Sequence, residues 1–129
     1  MRLADTSIWI DHFRKPDPLL QQTIENDILL CHPAIIGELA LGSLKSRSAV
    51  LSFLASQKMA KVATHDEIMT MIDTHQLYSM GIGYTDASLL ASTLIDDRME
   101  LWTRDKRLQE AAKKAGAKIL IERQALTGD

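Results

Sequence analysis

At 129 residues, with 46% apolar and 25% charged, the chain has the make-up of one globular domain rather than a disordered segment. Its net charge of −2, from 15 Lys and Arg against 17 Asp and Glu, argues against gripping nucleic acid by blanket phosphate neutralisation. That balance leaves room for an enzyme that meets phosphates through a bound metal and a local basic rim. No run approaches the roughly 18 apolar residues of a membrane span. The opening, with Arg2, Asp5 and Asp11, lacks the pattern of a signal peptide. A single cysteine, Cys31, rules out an internal disulfide and fits a reducing, cytoplasmic setting. Its neighbours Leu29, Leu30 and Pro33 suggest a buried thiol.

In chain order, Leu3-Ala4 closes a short first strand, and Ile8, Trp9 and Phe13 predict a short helix. Asp17-Pro18 opens another, with Asp as cap and Pro at the first helical position. Ile28 to Cys31 reads as a buried strand. Pro33 begins a helix through about Leu44, and Ala49 to Gln57 predicts the next. Thr64-His65-Asp66-Glu67 has capping-box spacing and starts a helix toward Met80, broken by Gly81 and Gly83. A helix from about Asp86 to Ile95 precedes a strand over Met99 to Thr103. Lys106 to Ala115 reads as a helix stopped by Gly116, and Ala117 to Ile121 as a last strand. No repeat, low-complexity tract or linker divides residues 1–129, so one domain is expected. Strands alternating with helices, without hairpin signals, predict an α/β fold: a three-layer α/β/α sandwich around a parallel sheet. In such sheets the ligand crevice lies beyond the carboxyl ends of the strands.

The placing of the acidic residues carries more information than their number. Asp5 is the only charge from Leu3 to Ile10, Glu38 the only one from Pro33 to Leu44, and Asp86 the only one from Gln76 to Ile95, counting His as neutral. At helical spacing Glu38 has Ala34, Ile35, Leu41 and Gly42, all apolar or small. Desolvation disfavours a lone ionised carboxylate, and these stretches hold no Lys or Arg to pair with it. A cation is the simplest remaining partner. Asp5 ends a strand, Asp86 begins a helix and Asp105 follows the strand ending at Thr103, so all three fall on one rim of a parallel sheet. Two carboxylates about 5 Å apart repel by roughly 3 kcal/mol at an effective dielectric near 20. Four together call for a divalent ion, and all-oxygen ligation points to Mg²⁺ or Mn²⁺. Each residue also has an ordinary reading: Asp5 as a strand-end turn, Asp86 as a helix N-terminal anion, Asp105 as a helix cap or surface pair beside Arg104, Lys106 and Arg107.

Four segments resemble the motifs of PIN domains, especially the VapC toxins of bacterial toxin–antitoxin pairs. They are Leu3 to Asp11 (LADTSIWID), Pro33 to Gly42 (PAIIGELALG), Gly83 to Ser92 (GYTDASLLAS) and Leu101 to Leu108 (LWTRDKRL), in order and spanning nearly the whole chain. The resemblance implies the same sandwich fold, Mg²⁺ or Mn²⁺ dependence and cleavage of single-stranded or loop RNA. It also implies a homodimer, and inhibition by a VapB-like antitoxin whose C-terminal segment covers the acidic groove. Residue by residue, it assigns Asp5 and Asp86 as metal ligands, completed by Glu38 and by a more variable Asp105.

On this reading, water rather than a ribose 2′-hydroxyl attacks the phosphodiester. Thr6, Ser7 and Thr103 are candidates to hydrogen-bond the ligands. Arg104, Lys106, Arg107, Lys45 and Arg47 are candidates for flanking phosphates, with a solvated-surface role as the alternative. His75 reads as a core-edge residue, Trp9 and Trp102 as core, and Met69, Met71 and Met80 as core or subunit interface. Competing functions are an aspartyl-phosphate phosphatase, which usually wants a second Asp where Ser7 stands, a non-catalytic PIN-like binding module, and an RNA-processing nuclease.

Overall fold

The computed structural model describes residues 1–126. Three short strands, β1 (Arg2–Ala4), β2 (Leu29–Leu30) and β3 (Glu100–Trp102), form a parallel sheet in the order β2-β1-β3. Arg2 and Leu3 register with Leu29 and Leu30 on one side, and Arg2, Leu3 and Ala4 with Glu100, Leu101 and Trp102 on the other. Single parallel bridges extend both flanks, Cys31 to Met59 and Leu101 to Ile119. The strand expected over Ala117 to Ile121 is therefore one bridge long, held by Leu101 N–H to Lys118 O and Leu120 N–H to Leu101 O. Successive strand residues point to opposite faces, yet Leu3 and Ala4, Leu29 and Leu30, and Leu101 and Trp102 are all buried. Both faces are thus covered, as the expected three layers require.

Eight helices do the covering among the described residues: α1 (Thr6–Arg14), α2 (Pro18–Glu25), α3 (Pro33–Ala40), α4 (Arg47–Ala55), α5 (His65–His75), α6 (Tyr84–Ile95), α7 (Lys106–Ala115) and α8 (Glu122–Leu126). Their ends follow from local chemistry. Asp17 caps α2 by accepting from Leu19 and Leu20 N–H, and Thr64 with Glu67 completes a capping box on α5. Gly116, at φ +76°, lets α7 end in the left-handed region. Gly81, at φ +78°, also lacks room: an added Cβ would lie 2.9 Å from Arg107 Cδ.

Two helices are shorter than their sequence patterns suggested. α3 stops at Ala40 rather than near Leu44, and α5 stops at His75, where Gln76 turns left-handed at φ 54°. The helix α8 was not expected. α6 is buried continuously from Ala87 to Thr93, as befits a helix packed inside the layer. Trp9, Trp102 and Cys31 lie in the core as expected, with Met71, whereas Met69 is exposed. His75 is half-buried. No helix among the described residues is long and apolar enough to cross a membrane.

His32, not singled out by the sequence reading, joins β2 to this core. It is 1% exposed and caps α3: Nδ1 accepts from Ala34 N–H at 3.0 Å, leaving Nε2–H to donate to Ser92 Oγ on α6 at 3.0 Å. Both nitrogens are thereby satisfied only in the neutral ring, and burial pulls the pKa below its ordinary 6.5. A folded pKa below the unfolded one means the unfolded chain binds the extra proton, so stability drains away as pH falls below 6.5. His32→Asn, which keeps a capping side chain, should flatten that part of the acid limb in denaturant titrations across pH 7 to 5. An unchanged difference in stability between the two pH values would show that His32 does not carry it.

Candidate functional site

The chain leaves β1 to pair with β2 on one side and β3 on the other, so the carboxyl end of β1 is where the strand order switches direction. Crevices open at such points. Asp5 stands there, first residue past β1 and N-cap of α1, with its backbone N–H on Trp102 O at 3.0 Å. Its side chain is 4% exposed. Ser7 Oγ donates to Oδ1 at 2.5 Å, Ile8 N–H at 3.3 Å, and the Thr103 hydroxyl adds a further bond. Burial raises the Asp5 pKa, and all these donors, which favour the carboxylate, do not bring it back to its ordinary value.

The other carboxylates arrive from three separate elements. Asp86 sits in the first turn of α6, half-buried. Burial raises its pKa first, against a bond from the Gly83 backbone, and the charges of Asp105, Asp5 and Glu38 push it up further. That repulsion is the sign that the four expected residues share one neighbourhood. Glu38, in the second turn of α3, turns toward α1 and accepts from Thr6 Oγ1 at 2.8 Å. Asp105 caps α7, its Oδ1 accepting from Arg107 and Leu108 N–H, while its own N–H donates to Thr103 Oγ1 at 3.0 Å. Thr6, Ser7 and Thr103 thus each bond one of the expected carboxylates. None of the ion pairs among the described residues involves Asp5, Glu38, Asp86 or Asp105.

Burial differs from the sequence expectation. Only Asp5 is deeply buried; Glu38 and Asp105 are exposed at the rim. The apolar flank read around Glu38 is real for Ile35, but Leu41 lies past the end of α3 and is 91% exposed. Among the described residues no three His, Cys, Asp or Glu side chains close into a metal cage. The four carboxylates come from four separate helix starts and faces and form an open cluster around Asp86. Such a cluster fits a hard divalent ion that keeps several of its waters and takes one or two carboxylates directly.

The basic residues are mostly elsewhere. Arg104 is committed to Asp11, Asp17 and Glu122 and is not a free phosphate contact. Arg47 donates to Ala40 O at the end of α3, and the stem of Arg107 rests against Gly81. Lys106 lines a cavity of about 720 Å³ between α7 and residues 117–122. Lys45 alone of the five lines the groove of about 480 Å³ beside Glu38, with Arg14, Ile10 and Phe13. Arg14 was missed because nothing in its local sequence separates it from an ordinary helix-end cation.

A raised carboxyl pKa means that the charged form costs stability. Asp86→Asn should therefore raise the melting temperature at pH 7 by a few degrees. The gain should shrink as pH falls through the raised folded pKa toward 3.8, where wild-type Asp86 also becomes neutral. A lower melting temperature for the variant at pH 7 would contradict the crowding of charge around Asp86.

No protein-family model matches the chain. Its fold is similar to the crystal structure of PAE2754 from Pyrobaculum aerophilum, with a TM-score of 0.66 over 98% of this chain and 93% of that one, at 20% identity. Its sequence is 43% identical over 122 residues to Ribonuclease VapC32 of Mycobacterium tuberculosis, in two strains, covering 95% of this chain and 98% of the relative. On that identity along nearly the full length of both proteins, the chain belongs to the VapC ribonucleases.

Proposed function

We propose that the chain is an Mg²⁺- or Mn²⁺-dependent endoribonuclease that hydrolyses single-stranded or loop RNA, with the ion held by Asp5 and Asp86 and completed by Glu38 and Asp105. The observation that carries the reading is the half-buried Asp86, raised by burial and by three other carboxylates with no basic partner among them. When bound, the ion would supply an acidified water and positive charge for the phosphate oxygens. The protein's own part is positional. Ser7 and Thr103 fix the direction of Asp5, and Thr6 that of Glu38. Arg14 and Lys45 offer cations beside Glu38 for a flanking phosphate.

In the net reaction a P–O bond forms from water while the bond to the 3′ oxygen breaks. One water proton ends on that oxygen, leaving a 5′-phosphate and a 3′-hydroxyl. The VapC relationship further supports a cytoplasmic toxin of a toxin–antitoxin pair, held in check by a VapB-like antitoxin and assembled as a homodimer. Exposed apolar side chains such as Ile10, Phe13 and Phe53 are available for such contacts.

With a fluorophore–quencher single-stranded RNA oligonucleotide, Asp5→Asn and Asp86→Asn should each lose at least about a hundredfold in kcat while remaining folded, since Asn keeps the shape of both side chains and the cap that Asp5 gives α1. EDTA should abolish wild-type cleavage and added Mn²⁺ restore it. Full activity in either variant, or in EDTA, would reject the metal-site reading.

A further inference from the structure

Arg104 directly follows Thr103 after β3, and its guanidinium gathers carboxylates from three distant segments. Nη1 donates to Asp11 Oδ2 on α1 at 2.8 Å, Nη2 to Asp17 Oδ2 at the cap of α2 at 2.5 Å, and Nε to Glu122 Oε1 on α8 at 2.8 Å. The partners are fixed in their turn. Asp17 Oδ1 caps α2, its N–H donates to His12 Nδ1, and Glu122 Oε1 also accepts from Trp102 Nε1 at 2.6 Å. A planar fork can meet three acceptors in different directions at once, which a lysine ammonium on its flexible stem does poorly. Three anions around one cation leave the cluster negative, so it does not recruit phosphate.

The backbone beside this fork runs into the acidic site. Arg104 N–H donates to Ser7 Oγ at 3.3 Å, and Ser7 Oγ donates to Asp5 Oδ1. Asp105 N–H donates to Thr103 Oγ1, and the Thr103 hydroxyl bonds Asp5. A hydroxyl that accepts from a backbone N–H has its own proton turned away from that N–H. Two consecutive amides thus aim two hydroxyls at one carboxylate.

We propose that Arg104 is a positioning residue: its grip on Asp11, Asp17 and Glu122 holds the turn over residues 103–105, whose amides orient Ser7 and Thr103 and through them Asp5. The proposal rests on the nuclease reading above. Asp11, Asp17 and Glu122 become parts of the same device, although none of them belongs to the acidic cluster itself.

The test uses the full chain, the same RNA oligonucleotide with Mg²⁺, and the variants Arg104→Gln, Arg104→Lys, Asp11→Asn and the double Arg104→Gln/Asp11→Asn. Arg104→Gln should lower kcat by about ten- to a hundredfold with KM nearly unchanged. Lys should fail to rescue it, Asp11→Asn should lower kcat less, and the double variant should be no worse than Arg104→Gln, because both cut one connection. Without RNA, exchange of the Arg104 and Asp105 amides should quicken about tenfold in these variants, as expected when a local opening becomes easier.

A phosphate-contact role predicts the opposite pattern and would overturn the proposal. Arg104→Gln would then raise KM in a salt-dependent way, while Asp11→Asn, by freeing the guanidinium, would lower it. A lowered melting temperature with kcat and amide exchange unchanged would overturn it too. If Arg104→Gln does not fold, Asp11→Asn and Glu122→Gln, each removing one arm, decide by the same readouts. No cleavage by the wild-type chain would sink the nuclease reading alone, and amide exchange would still decide whether Arg104 holds the turn.

Discussion

Asp5 and Asp96 are both almost fully buried carboxylates, and the contrast between them organises the molecule. Asp96 accepts from Lys61 N–H and from the backbone N–H, Nε and Nη2 of Arg98, and its pKa is driven far below the ordinary carboxylate range. Asp5 is bonded by two hydroxyls and by backbone amides, but no cation meets it, and its pKa moves up instead. One chain therefore holds one buried acid beside its counter-charge and another met only by neutral donors. The parallel sheet imposes the second case, since the end of β1 lies where the strand order switches and leaves a crevice rather than a packed neighbour.

Around Asp5 the fold adds charge of the same sign. α6 delivers Asp86 in its first turn, α3 brings Glu38, and α7 begins at Asp105. Helix starts are reasonable places for Asp86 and Asp105, because exposed N–H groups there favour anions. Local stabilisation of each acid and mutual repulsion of the set thus coexist. The repulsion is what a divalent ion would remove. Arg104 lies close by in sequence yet contributes no charge to this pocket, because Asp11, Asp17 and Glu122 already surround it.

The sequence made much of this legible where the signal was local. Lone charges in apolar stretches pointed to Asp5, Glu38 and Asp86, and cap chemistry at Asp17, Thr64 and Gly116 located helix ends closely. What escaped was tertiary. Arg104 looked like one of several surface cations because its partners Asp11 and Asp17 lie 93 and 87 residues away. Glu38 looked buried because the apolar residues after it read as helix, whereas α3 ends at Ala40 and leaves Leu41 in solvent. His32 could have been noticed as a capping side chain before Pro33, but its second bond, to Ser92, is 60 residues distant. The last strand shrank to a bridge because periodicity marks burial and not the number of ladder bonds that form.

The central claim is that the acidic crevice at the end of β1 binds a divalent cation. Anomalous diffraction from crystals of the protein soaked in Mn²⁺ examines it without reference to any substrate. The account predicts a manganese peak within ligand distance, about 2.2 Å, of carboxylate oxygens of Asp5 and Asp86. Manganese bound only elsewhere, or no peak near these residues at millimolar Mn²⁺, would contradict it.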